Sequence, residues 1–154
     1  YGLFVAVIGY FSTAPAYVHF PQDLALIKAS FSHAGQPKAE CHVRTAEELA
    51  SLPPNMRNPV QCGRERSPVV FELDLDGKRI FQAELAPAGL SRDGVSTVYR
   101  RFPVPAGRHR LRARLQDSVR VPDFNYTKEA DVTLVPAQVF VVEFDARGGG
   151  FVFK

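Results

Sequence analysis

Residues 69–85 read VVFELDLDGKRIFQAEL, and this stretch decides the fold class. Val69, Phe71, Leu73 and Leu75 alternate with Val70, Glu72, Asp74 and Asp76. Successive side chains of a strand point to opposite faces, so a period of two gives one apolar and one charged face. Asp76-Gly77 is a two-residue hairpin signal, and it predicts a return strand over residues 79–85.

The same period extends outward in both directions. Upstream, Ala25, Ile27, Ala29 and Phe31 alternate with Leu24, Leu26, Lys28 and Ser30. Downstream, Val98, Arg100 and Phe102 suggest a strand, and Pro105-Ala106-Gly107 turns it into HRLRARL. His109, Leu111, Ala113 and Leu115 then face one way. Val132 and Leu134 are read as starting a further strand, which Val135-Pro136-Ala137 breaks before the apolar run QVFVVEF. Gly148-Gly149-Gly150 separates that run from a last short strand, FVF. Seven or eight short strands with turns between them predict a mainly β chain, an antiparallel sandwich. The 12 prolines fall mainly between the runs, as strand punctuation should.

VVFELDLDGKRIF, VPAGRHRLRARL and DVTLVPAQVFVVEF resemble small modules of the PEGA or carboxypeptidase-regulatory type. Those modules carry a -DGK- hairpin, a -P-A-G-R-H-x-L- turn into a strand, and a final -L-x-P-G-Q- turn. Here the final turn reads Pro136-Ala137-Gln138, without the glycine. The resemblance covers about half of the chain. It implies an Ig-like or transthyretin-like sandwich acting as a non-catalytic extracytoplasmic interaction domain.

Charge is unevenly distributed over the 154 residues. With 45% hydrophobic and 23% charged residues, the composition excludes a disordered or low-complexity scaffold. Residues 1–22 nevertheless carry no Asp, Glu, Lys or Arg, and the first formal charge is Asp23. As a helix, YGLFVAVIGYFSTAPAYVHF would span about 30 Å, the thickness of a bilayer's hydrocarbon core. Gly2, Gly9, Ser12 and Thr13 allow close helix packing in lipid. Tyr10, Tyr17 and Phe20 suit an interface. The expectation is a single N-terminal transmembrane helix over residues 1–20, starting at Tyr1, ahead of a sandwich over residues 23–154. Pro15 would bend or end that helix, leaving residues 1–14 as its securest part, and upstream residues are expected to complete the span. Two other readings are a cleavable signal peptide and a buried element. Ala14-Pro15-Ala16 is A-x-A-like, although Pro there is poor for cleavage.

Cys41 and Cys62 flank an insertion with a short helical stretch and a Pro/Asn-rich loop. Thr45 with Glu48 forms a capping-box pattern. A Cys41–Cys62 disulfide is expected, suited to the periplasm or another oxidising space. The alternatives are two reduced thiols, or a metal site using Cys41, His42 and Cys62. The latter lacks the short C-x-x-C spacing of zinc signatures.

No lipase, zincin, P-loop or dinucleotide motif is present, so neither an enzyme nor a cofactor is expected. His19, His33, His42 and His109 form no short ligand pair, and Asp117, Asp123 and Asp131 fall in loops without an EF-hand pattern. Glu72, Asp74 and Asp76 are read as a solvated face rather than an acid–base pair or calcium site. The most informative cluster is basic. Arg108, Arg110, Arg112 and Arg114 recur at every second residue, with Arg100, Arg101 and Arg120 nearby. Residues 100–120 net +6, on a body otherwise netting −3. The stripe either pairs with Glu72, Asp74 and Asp76, or meets an acidic partner, anionic lipid or nucleic acid. The last is disfavoured because no stacking aromatics are interleaved. The functional expectation is a membrane-anchored accessory subunit packing on a larger integral-membrane complex, respiratory or photosynthetic, with membrane lipid as its other partner. A periplasmic metal or ligand carrier is the alternative.

Overall fold

The computed structural model describes residues 1–14 and 20–154. It opens with helix α1 (Gly2–Thr13). Strand β1 (Leu24–His33) follows. An insertion then carries β2 (His42–Val43), α2 (Ala46–Ser51), a 3-10 turn (Pro54–Met56) and β3 (Val60–Gln61). The remaining strands are β4 (Val69–Leu75), β5 (Lys78–Leu85), β6 (Ser96–Pro105), β7 (Gly107–Gln116), β8 (Tyr126–Leu134), β9 (Val139–Asp145) and β10 (Gly150–Phe153).

Two four-stranded sheets form the sandwich, in the orders β10-β9-β1-β6 and β5-β4-β7-β8. The Asp76-Gly77 turn joins β4 to β5 as expected, with both residues at positive φ (51° and 79°). Positive φ at both central residues matches the right-handed twist of the flanking strands. Two details differ from the sequence reading. β1 pairs with β9 in parallel, so one ladder of an otherwise antiparallel pair of sheets is not antiparallel. Val132 and Leu134 end a strand rather than start one, because β8 begins at Tyr126 and its polar alternation conceals it.

The core lies between the sheets. Ile27, Phe71, Leu73, Leu111, Leu115 and Val142 are buried there, each worth about 1.5–3 kcal/mol on burial. Phe31 meets Phe71 edge-on at 5.0 Å between ring centroids, and Phe144 meets Phe151 at 5.2 Å. Such T-shaped pairs add to area burial because a positive ring edge faces a negative ring face.

The expected transmembrane helix over residues 1–20 is not shown. Among the described residues no helix is long and apolar enough to cross a membrane. α1 covers 12 residues, about 18 Å of axial rise, against a bilayer core of about 30 Å. Ala14 is already extended (φ −140°, ψ 143°), as expected for a residue that precedes a proline. Tyr1, Gly2, Gly9 and Tyr10 are all exposed on or beside α1, while Tyr17 lies outside the described residues.

Candidate functional site

Three features of the chain are candidates for function: α1, the arginine stripe and a polar cluster at one end of the sandwich. α1 has no apolar face in the usual sense, because its entire circumference is apolar. Leu3, Phe4, Val5, Val7, Ile8, Tyr10 and Phe11 are all exposed, Leu3 to 84%. A helix apolar all round is normally buried in a large core or a membrane. A Cβ added at Gly2 or Gly9 would meet nothing within 4 Å.

The stripe resolves into an ion-pair ladder on the outer face of β5-β4-β7-β8. Arg112 faces Asp74 in register and binds it (Nη2 to Oδ2 2.6 Å), and Arg114 faces Glu72 and binds it (Nη2 to Oε2 2.5 Å). Arg79, arriving on β5, donates to both acids, to Asp74 Oδ1 at 2.8 Å and Glu72 Oε1 at 2.7 Å. Arg110 pairs with Glu129 on β8. The reading in which the stripe pairs with Glu72, Asp74 and Asp76 therefore holds for Arg112 and Arg114, whereas Arg110 takes Glu129 instead and no pair includes Arg108 among the described residues. Of the three acids read as solvated, Asp76 is half exposed, but Glu72 and Asp74 are not. Glu72 and Asp74 side chains are only 6% and 5% exposed, because the three guanidinium groups lie over them. Burial raises the carboxyl pKa of Asp74, but hydrogen bonds and charges from Arg79 and Arg112 outweigh it and hold the value below the usual range. The Arg114 guanidinium also lies over the Phe124 ring at 4.5 Å, and its Nε is buried without a hydrogen-bond partner.

Asp76 binds no arginine side chain. Its Oδ2 lies 2.6 Å from His109 Nδ1, and its Oδ1 accepts the Arg110 backbone N–H at 2.8 Å. Arg100 and Arg101, expected to extend the stripe, are on β6 in the other sheet. Arg100 sits over the Phe81 ring at 5.8 Å.

The polar cluster at the sandwich end was missed. Asp117, just past β7, is 0% exposed, and His33, at the end of β1, is 12% exposed. His33 Nε2 lies 2.8 Å from Asp117 Oδ2, and Asn125 Nδ2 donates to Oδ1 at 2.6 Å. The Asp117 backbone joins in, its carbonyl accepting from Gln36 N–H and its N–H donating to Asn125 Oδ1. The His33 ring packs edge-on against Phe144 at 4.7 Å. Beside the cluster, a groove of about 350 Å³ is lined by Asn125, Tyr126, Lys128 and the Gly148-Gly149-Gly150 turn. The only sequence signal was an isolated histidine and an isolated aspartate, 84 residues apart.

In the insertion, Cys41 and Cys62 form the expected disulfide. Thr45 and Glu48 form the expected capping box at α2, with Thr45 N–H donating to Glu48 Oε2 at 2.7 Å. Both sulfurs are consumed by the bond, and His42 pairs with Glu48. The carrier reading that needs Cys41, His42 and Cys62 as metal ligands does not fit this arrangement. Among the described residues no group of three or more His, Cys, Asp or Glu is placed to hold a metal ion.

No protein-family model, curated protein or solved structure matches this chain.

Proposed function

We propose that this chain is a non-catalytic accessory subunit whose sandwich is held at a membrane by its N-terminal segment and packs on a larger integral-membrane complex, in an extracytoplasmic space. An energy-transducing complex, respiratory or photosynthetic, is the host this reading favours. The observation that carries it is α1, with its large apolar side chains exposed around the whole circumference. Burying each of them would contribute about 1.5–3 kcal/mol, so water is the least favourable surrounding for the helix. Gly2, Ala6 and Gly9 fall at a spacing that places them on one side, where a neighbouring backbone can approach closely.

The disulfide supports an oxidising compartment. The likeness of the turns to PEGA-type modules supports an interaction role. The arginine stripe, being largely neutralised by its own sheet, offers little to nucleic acid.

The test is co-purification. Host membranes solubilised in a mild detergent should yield the chain in an assembly far larger than its own 17.1 kDa. Ile8→Arg should release it. Migration of the unaltered chain as a lone monomer overturns the reading.

A further inference from the structure

We propose that the outer face of β1 and β6 rests on an anionic phospholipid surface, with Lys28, Arg101 and Tyr99 making the contact. This inference builds on the membrane placement above and adds which face of the sandwich meets the lipid and what lipid chemistry it takes.

Register supplies the first observation. Lys28 stands directly opposite Arg101, and Ser30 opposite Tyr99. Like charges directly opposite across a ladder destabilise it. On the other sheet, Arg112 and Arg114 stand opposite acids and pair with them. Here no ion pair among the described residues includes Lys28, Arg100 or Arg101. Among the described residues, the Lys28 ammonium lies over the Tyr99 ring at 6.0 Å. The nearest acid on the outer face of the neighbouring β9, Glu143, is bound by Lys154 at 2.5 Å. Two cations are thus held side by side with their charge uncompensated, and Tyr99 beside them is 59% exposed.

Topology supplies the second. The chain leaves α1 and enters the sandwich at the start of β1, where Leu24 pairs with Pro105. Moving up the outer face from that end, the first rows are apolar: Leu24 with Pro105, then a buried Leu26 between an exposed Pro103 and an exposed Val139. The next row is Lys28 with Arg101, about 13 Å from the start at roughly 3.3 Å per residue. Tyr99 follows. The face thus presents two adjacent cations beside an exposed aromatic with a polar tip, chemistry that suits a headgroup layer lying along it. Free phosphate would need a closed cradle, which this flat face lacks. An anionic headgroup layer needs only the charge, and it draws basic groups within about a Debye length.

The chain contains no tryptophan, so Tyr99→Trp gives a single fluorescent reporter on this face. The full-length variant is reconstituted into phosphatidylcholine vesicles and into mixed phosphatidylcholine–phosphatidylglycerol vesicles. The expected result is a blue-shifted emission, quenched by brominated lipid, in the anionic vesicles only. Adding Lys28→Gln and Arg101→Gln should shift the docked-to-free ratio by about 30-fold, at roughly fivefold per cation. High salt should reverse the shift in the Tyr99→Trp chain itself, without any change of charge by mutation. Chain that floats with both vesicle types but emits identically in each overturns this inference and leaves the membrane tether standing. Failure to float with either overturns both. A blue shift that appears only in native membranes containing the host complex overturns the lipid assignment and gives the face to a protein partner.

Discussion

His33 and Asp117 meet at 2.8 Å across the end of the sandwich, where Asp117 is wholly buried and also held by Asn125. Burial works against its charge, yet the hydrogen bonds from His33 and Asn125 prevail and keep its carboxyl below the usual range. A carboxylate with a depressed folded pKa stabilises the protein fully above its unfolded value, near pH 4, and loses that contribution as pH falls through the folded value. Asp117→Ala should therefore cost about 3 kcal/mol at neutral pH, because Asn125 and His33 are left facing a hole. Asp117→Asn should cost less and flatten the acid side of the stability profile. Urea unfolding from pH 3 to pH 7 separates the two. Equal stability of Asp117→Ala and the unaltered chain at pH 7 would show that the cluster contributes nothing.

His109 titrates in the opposite sense. Its Nδ1 faces the Asp76 carboxylate at 2.6 Å, and its Nε2 faces the Pro105 carbonyl at 2.7 Å. Both partners only accept, so the ring satisfies both bonds only when both nitrogens carry protons. The bond to Asp76 is the main cause raising the His109 pKa above its ordinary 6.5, and it overcomes the opposing effect of burial. A raised folded value means the contribution is complete below about pH 6.5 and fades as pH rises through the folded value. An NMR titration of the ring protons should place His109 above the unfolded value, and Asp76→Asn should bring it down. A His109 midpoint unmoved by Asp76→Asn would rule out the pairing as the cause.

What could be read from the sequence, and what could not, follows from how local each signal is. The β4–β5 hairpin was legible because period two and a two-residue turn lie within 17 consecutive residues. The pairing of Arg112 and Arg114 with Asp74 and Glu72 was legible because alternation puts them on outward faces of strands that a sandwich places side by side. Their burial was not, since Arg79 closes over the acids from a third strand. Arg100 and Arg101 looked continuous with Arg108, but the Pro105–Gly107 turn carries the chain from one sheet to the other. His33 and Asp117 have no local signal at all, because only the folded ends of β1 and β7 bring them together. β8 escaped notice over most of its length because an edge strand alternating polar with half-buried residues contains no apolar run.

Reduction of the disulfide should loosen the insertion and leave the sandwich folded. Cross-linking this loop is worth on the order of 3 kcal/mol in the chain-entropy picture. That constraint acts on a segment whose α2 and 3-10 turn bury no residue, and whose strands β2 and β3 are exposed. Few apolar contacts therefore couple it to the core. Cys41→Ser with Cys62→Ser should raise protease cleavage after Arg44 and Arg57 several-fold, while the β-sheet circular dichroism and the main unfolding transition change little. Loss of the sandwich signal on reduction would mean that the insertion is integral to the core.

Two glycines should be intolerant for different physical reasons. A Cβ at Gly35 would lie 2.1 Å from the Ser67 carbonyl oxygen and 3.2 Å from that of Asp117. Both are backbone atoms. Ser67 N–H donates to Gln36 O at 2.8 Å, and Gln36 N–H donates to Asp117 O at 2.7 Å, so neither can retreat without breaking the end of the sandwich. Gly77 has open space around it but sits at φ 79°, where a Cβ strains the backbone. Gly77→Ala should therefore cost about 1 kcal/mol and leave the structure unchanged. Gly35→Ala should cost about 3 kcal/mol or more, as steric overlap in a packed site does, and should also disturb His33 and Asn125. Denaturant midpoints rank the two, and the His33 ring resonances report the second effect. If Gly35→Ala were as mild as Gly77→Ala and left the His33 resonances in place, the close approach of residue 35 to Ser67 would be wrong.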